Sequence, residues 1–141
     1  MLGGRNQVAG QVEERGAGVT IEDFTTKLMD DMDPELLALV RTEINSFIKW
    51  DLLRFFQENP NTADSIENIA KYLGRSVAIV EPDLNELVES GFMNKQQVGQ
   101  SVVYSLTTNP ERRQQIARFV AASSDRHFRV RAVYHIIRGM R

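Results

Sequence analysis

A chain of 141 residues with 42% hydrophobic and 26% charged residues can bury one sizeable core but is too short for two independent domains. The absence of cysteine excludes disulfides, thiolate metal sites and cysteine nucleophiles, while a net charge of −2 leaves both nucleic acid and protein open as partners. No apolar run approaches the roughly 20 residues that cross a bilayer, and the first residues lack an apolar export core, so a cytoplasmic chain without a membrane contact is expected.

Residues 1–19 hold five of the nine glycines and few apolar side chains, which cannot offset the entropy of ordering, so a flexible tail is expected there. From Thr20 the pattern changes. Thr20 and Asp23 form a loose capping pair, and Ile21, Phe24 and Leu28 share one face of a short helix. Asp33-Pro34-Glu35 combines a cap, a preset helical φ and an acid at the positive end of a second helix. Its apolar positions, from Leu36 and Val40 through Ile44, Phe47, Leu52 and Phe56, keep helical spacing as far as Asn59. Leu39, Trp50 and Leu53 lie outside that stripe, so the helix must be covered on more than one side, by C-terminal helices, a second copy, or both. The pattern leaves open whether it is continuous or bent near Asn45-Ser46.

Asn59-Pro60-Asn61 is a stop. Asp64 or Ser65 can then cap a helix carrying Ile66, Ile69, Ala70 and Leu73, with Gly74 placed for a left-handed C-terminal turn. After a tight turn, Val77, Val80, Leu84, Leu87 and Val88 form the buried stripe of the next helix, in which Pro82 is expected to cause a kink or a restart at Asp83. Strand chemistry follows in FMNKQQVGQSVVYSL, with Gly99 near a hairpin turn. Asn109-Pro110-Glu111 opens a helix with Ile116, Ala117, Phe119 and Val120, and Ser123-Ser124-Asp125 caps a last one, expected to turn Val130, Val133, Tyr134 and Ile137 inward.

Helix, helix, tight turn, helix and β-hairpin is the order of a winged helix-turn-helix. The stretch IENIAKYLGRSVAIVEPDLNELVESGFM, with Ile69-Ala70, Leu73-Gly74, Val80, Leu84, Leu87, Gly91 and Phe92 at its matching positions, resembles bacterial winged-helix repressors of the multiple-antibiotic-resistance and arsenical-resistance kinds. Tyr104-Ser105-Leu106-Thr107 resembles the strand that closes the wing in those proteins. The expected fold is therefore mainly α (α+β): a winged helix-turn-helix over 43–109, a helical extension over 20–42 and another over 110–141, the last mediating homodimerisation. The resemblance implies a non-enzymatic transcriptional regulator that binds double-stranded DNA. It also implies a small apolar effector near Phe47, Trp50, Phe55 and Phe56, although aromatics at that spacing equally make core.

The charges complicate this expectation. In the DNA-binding families the residues between the positions of Val80 and Leu84 commonly include cationic or hydroxyl side chains; here they are Glu81, Pro82 and Asp83, with Glu86 and Glu89 beyond. A carboxylate can accept from cytosine N4, but it does so beside a line of repelling phosphates. These acids are otherwise a solvated face, or, with Glu81, Asp83 and Glu86 foremost, a docking face for a protein partner. Cations for DNA must come from elsewhere. Arg75 and Ser76 lie at the helix start, Lys95, Gln96, Gln97 and Gln100 in the wing, and Arg112 and Arg113 at the next helix. Residues 110–141 carry eight arginines against two acids, a second candidate partner surface.

Catalysis is not expected. His127 and His135 stand eight residues apart, unlike a helical metal pair, and Ser123-Ser124-Asp125 reads as a cap. No glycine-rich phosphate loop follows a strand. Neither a cofactor nor a metal is expected.

Overall fold

The computed structural model describes residues 32–140; the tail and the helix expected from Thr20 lie outside the described residues. The architecture below is that of the unit Pro34–Arg141.

Helix α1 (Pro34–Thr42) starts at its proline and buries Leu36, Leu39 and Val40. It does not run on. The N–H groups of Glu43 and Ile44 both turn back to the Leu39 carbonyl, and Ser46, in an extended conformation, caps α2 (Phe47–Glu58) by accepting from the Lys49 N–H at 3.0 Å. The break falls at Asn45-Ser46, the alternative to a continuous helix that the sequence had left open. Capping explains it: a serine hydroxyl satisfies an amide that a new helix would otherwise leave unpaired.

The several apolar sides of α2 are covered from within the chain. Leu52, Leu53 and Phe56 are fully buried, and Trp50 meets the rings of Phe119 and Phe128 edge-on, with centroids at 5.3 and 6.4 Å. Phe119 and Phe128 come from α5 (Pro110–Ala122) and α6 (Arg126–Gly139). Three rings in T-shaped contact hold the C-terminal helices onto the winged centre.

The centre follows the expected order, with one addition. A two-residue strand β1 (Ala63–Asp64) precedes α3 (Ile66–Leu73), which Ser65 caps, and Gly74 adopts φ 68° and ψ 34° to end it. Helix α4 (Val77–Glu89) is capped by Ser76 and buries Val80, Leu84 and Leu87 completely. Strands β2 (Met93–Val98) and β3 (Ser101–Leu106) form the wing around a two-residue loop in which Gly99 has φ 62°. Register runs from Met93 opposite Leu106 to Val98 opposite Ser101. Strand β1 pairs on the other side of β3, giving the antiparallel order β1-β3-β2.

The restart expected at Pro82 does not occur, and the inward face expected of α6 needs correction. Helix α4 continues from Val77 to Glu89 with Pro82 inside it. Pro82 and Ala78, whose carbonyl loses its helical donor at the proline, are both exposed, so water can satisfy that carbonyl. In α6, the inward face is Phe128, Ala132 and Ile136; Val130 and Ile137 are exposed and Val133 and Tyr134 half-buried. The helix carries two apolar stripes, and the aromatic seat taken by Phe128 decides which one turns in.

Helix α6 packs on α1. There the ring of His135 is half-buried, its Nε2 has no hydrogen-bond partner, and burial, then the guanidinium groups of Arg41 and Arg138, hold its pKa below the ordinary 6.5. The fold thus favours neutral imidazole, while the unfolded chain takes up a proton near 6.5. This contribution to stability is complete above that value and is lost as pH falls through the lowered folded pKa. Urea midpoints taken from about pH 7 down to pH 5 should fall less steeply in a His135→Gln variant than in the parent; equal slopes would remove His135 from the account.

Candidate nucleic-acid interface

In this fold, the α3-turn-α4 unit presents the N-terminal half of α4 to solvent with the β2–β3 wing beside it. Between them lies a cleft of about 410 Å³, lined by Ser65, Glu67, Glu81, Lys95, Gln100 and Tyr104 among others. Buried Val80, Leu84 and Leu87 fix the rotation of α4. Ala78, Ile79 and Pro82 consequently point outward, with Ile79 54% exposed.

The acidic residues of α4 do not form one uniform face. Asp83 Oδ2 accepts from Ser46 Oγ at 2.8 Å, and Glu86 Oε1 lies 2.5 Å from Lys49 Nζ, which also donates to Asn45 Oδ1 at 2.8 Å. Lys49 is only 4% exposed. Asp83 and Glu86 therefore tie α4 to the first turn of α2, and neither is simply a solvated side chain. Glu81 is exposed on the wing side, whereas Glu89 stands in the last turn, beside a hollow that Thr42 and Ser90 also line.

The candidate cations and polar groups divide in the same way. Arg75 Nη2 contacts Asp51 Oδ2 at 3.2 Å and remains partly exposed. The Ser76 hydroxyl accepts from the Ile79 N–H at 3.3 Å, and its own proton stays free to donate outward. Lys95 Nζ lies 5.7 Å from the Tyr104 ring centroid, and Gln97 Nε2 donates to the Gly99 carbonyl at 3.0 Å. Gln96 and Gln100 are exposed in the wing.

Arg112 is engaged internally. Its Nη2 reaches Glu43 Oε2 at 2.8 Å, Nη1 reaches Gln115 Oε1 at 2.9 Å, and the guanidinium covers the Phe92 ring at 4.3 Å. Arg113 is half-buried, and its Nε lacks a hydrogen-bond partner. Arg75 and Lys95 are thus the two candidate cations best placed for phosphate. Sequence reasoning passed over Lys71, exposed in the last turn of α3, and Tyr72, whose hydroxyl donates to Asp64 Oδ2 at 2.5 Å. That bond, then one from Asn68, holds the Asp64 carboxyl below its usual value. Only the i, i+8 spacing of Asp64 and Tyr72 hinted at it.

Phe47 and Trp50 line an open hollow of about 570 Å³ together with Arg54, Val120, Arg129 and Val133. Phe55 instead stacks on Tyr72, and Phe56 is core. Among the described residues, no group of three or more His, Cys, Asp or Glu side chains could hold a metal ion, and no helix is long and apolar enough to cross a membrane.

The element order, the capped tight turn between α3 and α4 and the hairpin register define a winged helix-turn-helix protein. No family model matches the chain, and no curated protein does. Among solved structures, RV1404 of Mycobacterium tuberculosis is 16% identical with a TM-score of 0.46, over 89% of this chain and 84% of that one. A possible transcriptional regulator from Methanosarcina mazei is 16% identical with a TM-score of 0.39, over 77% and 82%. The MarR family protein RV2887 of Mycobacterium tuberculosis, in complex with salicylic acid, is 16% identical with a TM-score of 0.43, over 87% of each chain.

Proposed function

We propose that this chain is a non-enzymatic winged-helix regulator that binds double-stranded DNA as a homodimer, chiefly through phosphate contacts from Arg75, Ser76 and Lys95 with the wing amides. The observation that carries this reading is the engagement of Asp83 and Glu86 by Ser46 and Lys49. Four carboxylates along α4 would be a severe electrostatic penalty beside DNA. With one hydrogen-bonded to Ser46, one neutralised by Lys49 and Glu89 at the far end, the N-terminal half presents Glu81 alone.

The dimer half of the proposal rests on α6. Val130, Ile137 and Met140 are each about half exposed or more, and Val133 lies between them on the same stripe, an apolar face that a second copy can cover.

A second reading keeps support from a different observation. Ala78, Ile79 and Pro82 give α4 an apolar outward tip beside Glu81, a surface equally suited to a protein partner.

Fluorescence anisotropy of a random-sequence duplex at about 50 and 200 mM salt separates the two. With Arg75 and Lys95 of each protomer neutralising about four phosphates per dimer, counterion release predicts an affinity loss of roughly 150-fold between those conditions. Absence of binding at the lower salt would reject the DNA reading and leave the apolar tip as a protein-docking face.

A further inference from the structure

We infer that Glu81 reads sequence, accepting a hydrogen bond from the N4 amino group of a cytosine in the major groove; the inference rests on the duplex-binding reading above. Glu81 lies in the exposed N-terminal half of α4, and among the described residues no hydrogen bond or ion pair engages its carboxylate. Asp83 and Glu86 are occupied by Ser46 and Lys49, and Glu89 lies two turns further along the helix.

The chemistry of the base edges selects the partner. An ionised carboxylate only accepts. Guanine offers two acceptors in the major groove, and thymine offers an acceptor and a methyl group. Adenine offers a donor, but with the N7 acceptor beside it, which repels a carboxylate. Cytosine N4 is a donor at the outer edge of its pair, flanked only by the O6 acceptor of guanine, whereas adenine N6 lies between its own N7 and the O4 of thymine. Lys95 lines the same cleft and offsets part of the repulsion between Glu81 and nearby phosphates. Exposed Ala78 and Ile79 suit thymine methyl groups next to the cytosine.

The test is selection of the full-length protein on a randomised duplex library at about 50 mM salt, followed by anisotropy of the parent, Glu81→Ala and Glu81→Gln on the selected duplex and on its single-base variants. Circular dichroism confirms that both variants fold. The parent should prefer cytosine over each other base at one position per half-site by about tenfold. Glu81→Ala should lose that preference while binding random duplex more tightly, and Glu81→Gln should shift it towards adenine, whose N6 and N7 a glutamine amide matches. Salt-sensitive binding with no cytosine preference, or with a preference that survives Glu81→Ala, would overturn this inference and leave the duplex-binding reading standing. Absence of salt-sensitive binding would overturn both.

Discussion

Replacing Glu86 by alanine is expected to destabilise the fold by about 2 kcal/mol, whereas replacing its partner Lys49 by methionine should change stability by less than about 1 kcal/mol. The asymmetry follows from exposure. The Lys49 side chain is 4% exposed and that of Glu86 59%. Removing the carboxylate leaves a desolvated ammonium with Asn45 Oδ1 as its remaining acceptor, a situation that costs about 3–5 kcal/mol when both partners are fully buried. Here water reaches Glu86, so the loss falls between that range and the near-zero value of surface pairs. Methionine, by contrast, fills the volume of the lysine stem and removes the charge that needed a partner. Urea unfolding of the two variants decides the matter. A Glu86→Ala midpoint indistinguishable from the parent would mean that the bridge does not tie α4 to α2, and the electrostatic case for the DNA reading would weaken with it.

This pair also shows what the sequence could and could not reveal. The winged centre was legible because its signals are local. Gly74 follows a run with i, i+3, i+4, i+7 spacing, Ser76 precedes the next such run, and Gly99 divides two β-prone segments. The fate of the acids was not legible, because Lys49 and Glu86 are 37 residues apart, and nothing in a linear pattern distinguishes a carboxylate that neutralises a buried ammonium from one in solvent. Arg112 presents the same difficulty. As the third residue after a capping Asn109 it resembles an exposed cation at a helix start, yet Glu43, 69 residues away, and the Phe92 ring occupy its guanidinium. Strand β1 was missed because two residues carry no periodicity; its existence depends on the free edge of β3. The phase of α6 failed for another reason. Two apolar stripes on one helix are equivalent in sequence, and the seat that selects Phe128 is made by Phe119 of the preceding helix together with Trp50, which lies far away in the chain.

That second stripe carries the other large expected effect. Ile137→Glu should convert a dimer of twice the 16.0 kDa chain mass into a monomer in light scattering at micromolar concentration, with the secondary structure unchanged. Ile137 is 57% exposed, so a glutamate there disturbs no internal packing; its cost arises only when a second apolar face must cover it. The consequence for DNA is larger than the loss of one apolar contact suggests. Two winged helices joined in one dimer bind two half-sites at the cost of one association, and the second set of phosphate contacts forms at high effective concentration. A monomer keeps half the cations and loses that advantage, so duplex affinity at about 50 mM salt should fall more than a hundredfold, and the dependence of affinity on salt should become about half as steep. The two readouts check each other. Unchanged mass would show that α6 does not hold the dimer. A monomer that retained full affinity and the full salt dependence would show that each winged helix binds its duplex alone.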